Sequence, residues 1–168
     1  RTAPRYCNGS CMPHWPPYRP DILNKALPEL VKGRTGSAVT QKVVVSDQPW
    51  AVAWYADEIS LWLPKTKKGF EKLEDIGSSL GTPFAGFLIT PSSADAGYIG
   101  TVRSQFGEFN SMIFNGIMAE VTAPNPQRAG ISILQSDPKM ADIVRRYSDA
   151  KFLSAGDLVF YGQPRANQ

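Results

Sequence analysis

"VVVSDQPWAVAWYADEISLWLP", residues 43–64, sets the topology of the chain. Val43, Val44 and Val45 form a short β-branched run with no polar alternation, the pattern of a strand covered on both faces. With Lys42 in front, "KVVVS" predicts a strand over 42–46. Asp47 and Pro49 suit an N-cap and a first-turn proline for a short helix through Tyr55. "ISLWLP" then predicts a second strand over 59–63. A strand, a helix and a second strand this close together make a βαβ unit, which calls for a parallel pair.

The same alternation continues downstream. Phe70, Leu73, Ile76 and Leu80 are spaced for a helix stripe, with Gly81 as its stop. "FAGFLITP" predicts a third buried strand over 84–90. Tyr98, Val102, Phe106, Phe109, Ile113 and Ile117 recur about every four residues, as in one long helix. Asp137 and Pro138 open another helix, carrying Met140, Ile143, Val144 and Tyr147, and "DLVFYG" supplies a fourth strand over 157–161. Strands alternating with helices predict an α/β fold, a three-layer Rossmann-like domain with a small, mostly parallel sheet. Upstream, Asp21 reads as the N-cap of "ILNKALPELVK", whose Ile22, Ala26, Leu27, Leu30 and Val31 share one face. Pro28 inside that pattern predicts a kink or a split. Gly33 to Ser37 reads as a loop. Residues 1–20, rich in proline and aromatics ("MPHWPPYRP"), read as an arm or linker, and 21–168 as a single α/β domain.

The bulk composition narrows the function classes. The chain has 168 residues, 42% of them hydrophobic and 20% charged, enough apolar material for one domain with a real core. Its net charge of +3 comes from 18 basic and 15 acidic residues spread along the chain, which argues against a dedicated nucleic-acid binder. No apolar run reaches the roughly 18 residues needed to span a bilayer. A start at Arg1, without methionine or leader pattern, reads as a mature piece of something longer.

Chemical motifs are sparse. Cys7 and Cys11, in "YCNGSCMPH" with the sole histidine His14, are four apart. They could close a small disulfide loop or stay as thiols. Three such ligands fall one short of a closed zinc site, so no metal is expected. A thioredoxin-type centre has two residues between its cysteines, not three. The glycine fingerprint of nicotinamide or flavin binding is missing from the first strand–helix turn, so no cofactor is expected. Neither a phosphate-binding P-loop nor a Gly-x-Ser-x-Gly elbow is present. Asp57 with Glu58 and Glu74 with Asp75 read as surface acids, and Lys65, Lys67 and Lys68 as a solvated helix start that could also touch anionic lipid headgroups or a lipid-linked phosphate.

The quoted stretch, with "HWPPYRPDIL" upstream, resembles the C-terminal soluble region of bacterial membrane-embedded glycosyltransferases. These form the protein-mannosyltransferase-like, or aminoarabinose-transferase-like, group. Ser46, Asp47, Pro49, Trp50, Ala51, Val52, Ala53, Trp54 and Tyr55 match its opening pattern, and Leu61 to Pro64 match its second strand. The likeness covers about residues 14 to 90; the cysteine pair and the helix from Tyr98 depart from the family. It implies an extracytoplasmic, non-catalytic domain of a polytopic enzyme that uses a polyprenyl-phosphate-linked sugar donor, at the periplasmic face of a bacterial membrane. The implied partners are the transmembrane region of the same polypeptide and a lipid-linked sugar or lipid headgroup. In that family the catalytic acids lie in membrane-region loops, so no catalytic residue carries over. The alternative is a stand-alone periplasmic binding or thiol-redox module using Cys7 and Cys11.

Asp47, Trp50, Trp54 and Tyr55 are the candidate binding residues. If the corner is structural, Asp47 caps the helix while Trp50 and Trp54 pack against the sheet, and this is the favoured expectation. If it is a ligand rim, the carboxylate accepts sugar hydroxyls and a ring stacks on a sugar face. A third possibility is docking against a membrane region.

Overall fold

The computed structural model of the chain describes residues 20–32, 41–90, 99–114, 138–153 and 158–164. Its elements begin with α1 (Pro20–Lys32), β1 (Val43–Ser46), α2 (Pro49–Ala56) and β2 (Ile59–Trp62). They continue with α3 (Lys67–Ser79), β3 (Phe84–Ile89), α4 (Ile99–Phe106), α5 (Ala141–Arg146), β4 (Asp149–Leu153) and β5 (Leu158–Gly162). β1 pairs in parallel with β2, Val43 opposite Ile59 and Ser46 opposite Trp62. On its other side β1 pairs in parallel with β3. The sheet order is β2-β1-β3-β5-β4.

The chain is thus α/β, but its sheet is mixed. β5 runs antiparallel to β3, and β4 antiparallel to β5. The expected strand at 157–161 is present as β5, in the opposite direction to the parallel half. β4, with the sequence "DAKFL", was not anticipated: it is short, has a strand neighbour on one side only among the described residues, and carries Asp149 and Lys151. Only residues 154–157 separate β4 from β5, too few for a parallel crossover, so a hairpin-like pairing is forced.

Two apolar clusters explain the unbroken valine run. Val43 and Val45 join Phe70, Phe84, Phe87, Phe109, Ile143 and Tyr147. Val44 joins Leu23, Leu27, Ala51, Val52, Leu88 and Phe160. Successive strand residues point to opposite faces, so β1 feeds a core on each side of the sheet.

Three local expectations need correction. The split allowed for at Pro28 does not occur, since α1 continues through it. Leu23, Leu27 and Val31 are buried along one line, and that packing offsets the backbone bond the proline removes. The far end of α1 is closed by Lys42, whose buried ammonium donates to the carbonyls of Val31 (2.7 Å) and Lys32 (3.2 Å). A cation there satisfies orphan carbonyls and complements the helix dipole. Burial lowers its pKa, with Glu58 acting the other way.

The long helix expected over Tyr98 to Ile117 is interrupted within the described residues, outside which Tyr98 and Ile117 themselves lie. α4 ends at Phe106, a 3-10 turn spans Gly107–Phe109, and helical backbone resumes over 110–114. Gly107 has φ +54°, and a Cβ there would come within 2.2 Å of the Lys65 carbonyl oxygen. That oxygen accepts from Glu108 N at 2.9 Å. The four-residue apolar period persists across the break, which is why periodicity alone does not show it. Glu74, finally, is no idle surface acid: it accepts from the Tyr147 hydroxyl and the Arg146 guanidinium, tying α3 to α5. Burial first, then the Glu74 carboxylate, pushes the Tyr147 phenol above its ordinary range.

α3 forms where expected, but only part of its expected stripe packs: Phe70 is buried and Leu73 lies against the same cluster, while Ile76 and Leu80 are exposed, Leu80 because it stands at the C-cap beyond the last turn. Thr66 Oγ1 accepts from Gly69 N at 3.1 Å, and Glu108 Oε2 accepts from Lys67 N at 2.6 Å. Gly81, at φ +72°, takes the left-handed turn beyond its end. The proposed arm with Cys7, Cys11 and His14, the Gly33–Ser37 loop and Asp137 lie outside the described residues.

Candidate functional site

The order β2-β1-β3 places the carboxyl ends of β1 and β3 side by side, the position where open α/β sheets hold ligands. Asp47 follows β1 and Thr90 follows β3. The Asp47 side chain, 2% exposed, turns across the gap rather than onto α2. Its Oδ1 accepts from Thr90 N at 2.9 Å, and its Oδ2 accepts from Thr90 Oγ1 at 2.7 Å. Ser46 Oγ also donates to Oδ1, at 3.3 Å, and accepts from Gln48 N at 3.1 Å.

Asp47 is therefore a clamp between strands, not the expected helix cap. The N-cap residue of α2 is Gln48, which makes no side-chain cap bond. The need for a cap is already reduced, because Pro49 at the first helical turn has no N–H to satisfy. At this corner the carboxylate accepts from the Thr90 amide and hydroxyl.

The tryptophans also depart from the favoured expectation. Trp50 and Trp54 do share one side of α2, but it is the outward side. Trp50 is 38% and Trp54 82% exposed. Packing falls to Ala51, Val52 and Ala56, with Tyr55 half-buried against the same cluster. Small residues on the inner face let α2 lie close to the sheet, which leaves the large rings outside. Of the four candidates, Asp47 and Tyr55 are structural in their contacts, while Trp50 and Trp54 face outward.

A further ring was missed. Trp62, at the end of β2, is 61% exposed. It sits opposite Ser46, on the side of the sheet that Val44 faces and α2 covers. Its signal was parity: Leu61 packs into the other cluster, so Trp62 must point the opposite way. Replacing Trp54 or Trp62 with alanine is expected to change unfolding free energy by less than about 0.5 kcal/mol, as at other exposed positions. A denaturant titration checks this, and a loss above ~2 kcal/mol would mean the ring is packed after all.

Among the lysines that follow, Lys67 pairs with Glu71 and Asp142. Lys65 and Lys68 are exposed. Among the described residues, no group of three His, Cys, Asp or Glu is arranged to hold a metal ion, and no helix is long and apolar enough to cross a membrane. No protein-family model, curated protein or solved structure matches the chain.

Proposed function

We propose that this chain is an extracytoplasmic, non-catalytic domain of a polytopic membrane glycosyltransferase using a polyprenyl-phosphate-linked sugar donor. In this proposal the domain is a three-layer Rossmann-like unit whose parallel half, β2-β1-β3, carries the functional edge. The observation that carries it is the outward display of Trp50, Trp54 and Trp62 from the first βαβ unit. Rings of that size are normally drawn into a core or an interface. Here they occupy the segment, Ser46 to Pro64, that resembles the soluble region of the membrane enzymes. The partner would be the transmembrane region of the same polypeptide, at the periplasmic face. Asp47 would shape the edge by joining β1 to β3, and catalysis would reside in the membrane part.

Sugar transfer from a polyprenyl-phosphate donor, measured in membranes carrying the full-length protein, tests this. Trp54→Ala with Trp62→Ala is expected to reduce transfer severalfold while protein level and melting stay unchanged. A gene that encodes only a cleavable signal ahead of Arg1 would end the proposal.

A further inference from the structure

Among the described residues, β2 has a strand neighbour only on its β1 side. Leu63 N donates to the Ser46 carbonyl at 2.8 Å, so Leu61 and Ile59 also turn their backbone groups toward β1. The N–H and C=O of Ser60 and Trp62 therefore point away from the sheet. At the other end of the sheet order, β4 carries Asp149 and Lys151, which pair with each other at 3.1 Å. Charges of that kind keep an edge from joining a neighbour. β2 has none within the strand, and its Ile59 and Trp62 side chains are exposed.

The charges of β2 stand at its two ends instead. Asp57 and Glu58 precede the strand, and the exposed Lys65 follows it, in no ion pair among the described residues. A parallel neighbour of the same sequence would set acid against acid. An antiparallel one sets the acid end of each strand against the lysine end of the other.

We infer that two copies of this chain join through β2, antiparallel about a two-fold axis at Leu61, into one continuous sheet. About that axis Ser60 of each copy lies opposite Trp62 of the other, and their outward N–H and C=O groups exchange backbone hydrogen bonds. The ring then rests beside a small side chain. Ile59 meets Leu63 on the opposite face, and Asp57 comes level with Lys65. An axis at Trp62 would oppose ring to ring and Ser60 to Pro64, which has no N–H to give. An axis at Ser60 would oppose Leu63 to Asp57. The pairing leaves Trp50 and Trp54 on the outward side of α2, and it does not rest on the transferase reading.

Sedimentation equilibrium of the 168-residue chain tests it. The mass is expected to rise with concentration from one chain to two. Ser60→Pro should weaken the dimer at least roughly tenfold, because it removes an N–H that points away from β1. Lys65→Glu should also weaken it roughly tenfold, and adding Asp57→Lys should restore it. That rescue decides the matter even if the proline variant folds poorly. With Cys7→Ser and Cys11→Ser in place, Leu61→Cys should oxidise in air to a linked dimer, because opposed residues of this kind stand about 4.5 Å apart. A monomer at every concentration would overturn the inference, as would a dimer that the proline and the charge reversal leave unchanged. So would a chain that stays monomeric while binding anionic vesicles, which would give the edge to a bilayer. Sugar transfer is not read here, so a failed dimer leaves the transferase proposal standing, and failed transfer leaves the dimer standing.

Discussion

Phe70→Ala is expected to lower unfolding free energy by about 4 kcal/mol, within the range for emptying a buried aromatic site. Phe70 is fully buried where α3 meets the sheet. Its ring lies 5.6 Å from Phe84, 4.9 Å from Phe87, 5.8 Å from Phe109 and 5.9 Å from Tyr147, centroid to centroid. Those rings come from β3, the 3-10 turn and the residue after α5, so one side chain holds four parts of the fold together. The void cannot be filled by local collapse, because Phe87 and Tyr147 are themselves in edge contact at 4.9 Å. Phe70→Leu keeps much of the volume and should cost nearer 1.5 kcal/mol. Urea unfolding followed by circular dichroism measures both. A loss under ~1 kcal/mol for the alanine variant would show that the aromatic cluster is not the centre of this core.

How much of this was legible in the sequence follows from which forces act locally. Val43 to Val45, Phe84 to Ile89 and, in α3, Phe70 with Leu73 were readable because burial on a sheet or helix leaves a pattern in the chain, whereas Ile76 and Leu80 share the spacing and stay exposed. The Gly81 stop was readable because a left-handed residue after a helix favours glycine. The direction of β5 was not readable, since it depends on its neighbour β3, far away in sequence. The break at Gly107 was hidden because the turn returns Phe109 and Ile113 to the same core as Val102 and Phe106. At the candidate site, the type and place of Asp47 were legible but its partner was not. Capping is a local rule and favoured the next helix. The Thr90 amide, brought alongside by sheet order, was the stronger demand. The tryptophans misled for a related reason. Spacing four apart puts Trp50 and Trp54 on one side of a helix but does not say which side. Ala51, Val52 and Ala56 were the clue, because a close-packed inner face is built from small residues.

For Asp47→Ala, a loss of about 3 kcal/mol is expected, several times that of an ordinary cap. The replacement removes both oxygens that accept from Thr90, leaving a buried amide and a buried hydroxyl without those acceptors. Each such group costs on the order of 1–3 kcal/mol when unmet. Asp47→Asn separates structure from chemistry. Its carbonyl can still accept from Thr90 N, and its amide can donate to Thr90 Oγ1, so a loss of only about 1 kcal/mol is expected. Thr90→Val removes the hydroxyl and keeps the amide. Combined with Asp47→Ala, it should cost less than the sum of the single changes, with a coupling of about 1–2 kcal/mol in a double-mutant cycle. Additive losses would mean that the two residues do not depend on each other. The asparagine variant also bears on function. If the chain belongs to the proposed transferase and the carboxylate contacts a sugar, transfer by that full-length protein should fall sharply while the fold survives. If Asp47 only joins β1 to β3, the asparagine variant should retain most transfer. The second result is expected, because both oxygens face Thr90 and the rings left facing outward are the tryptophans.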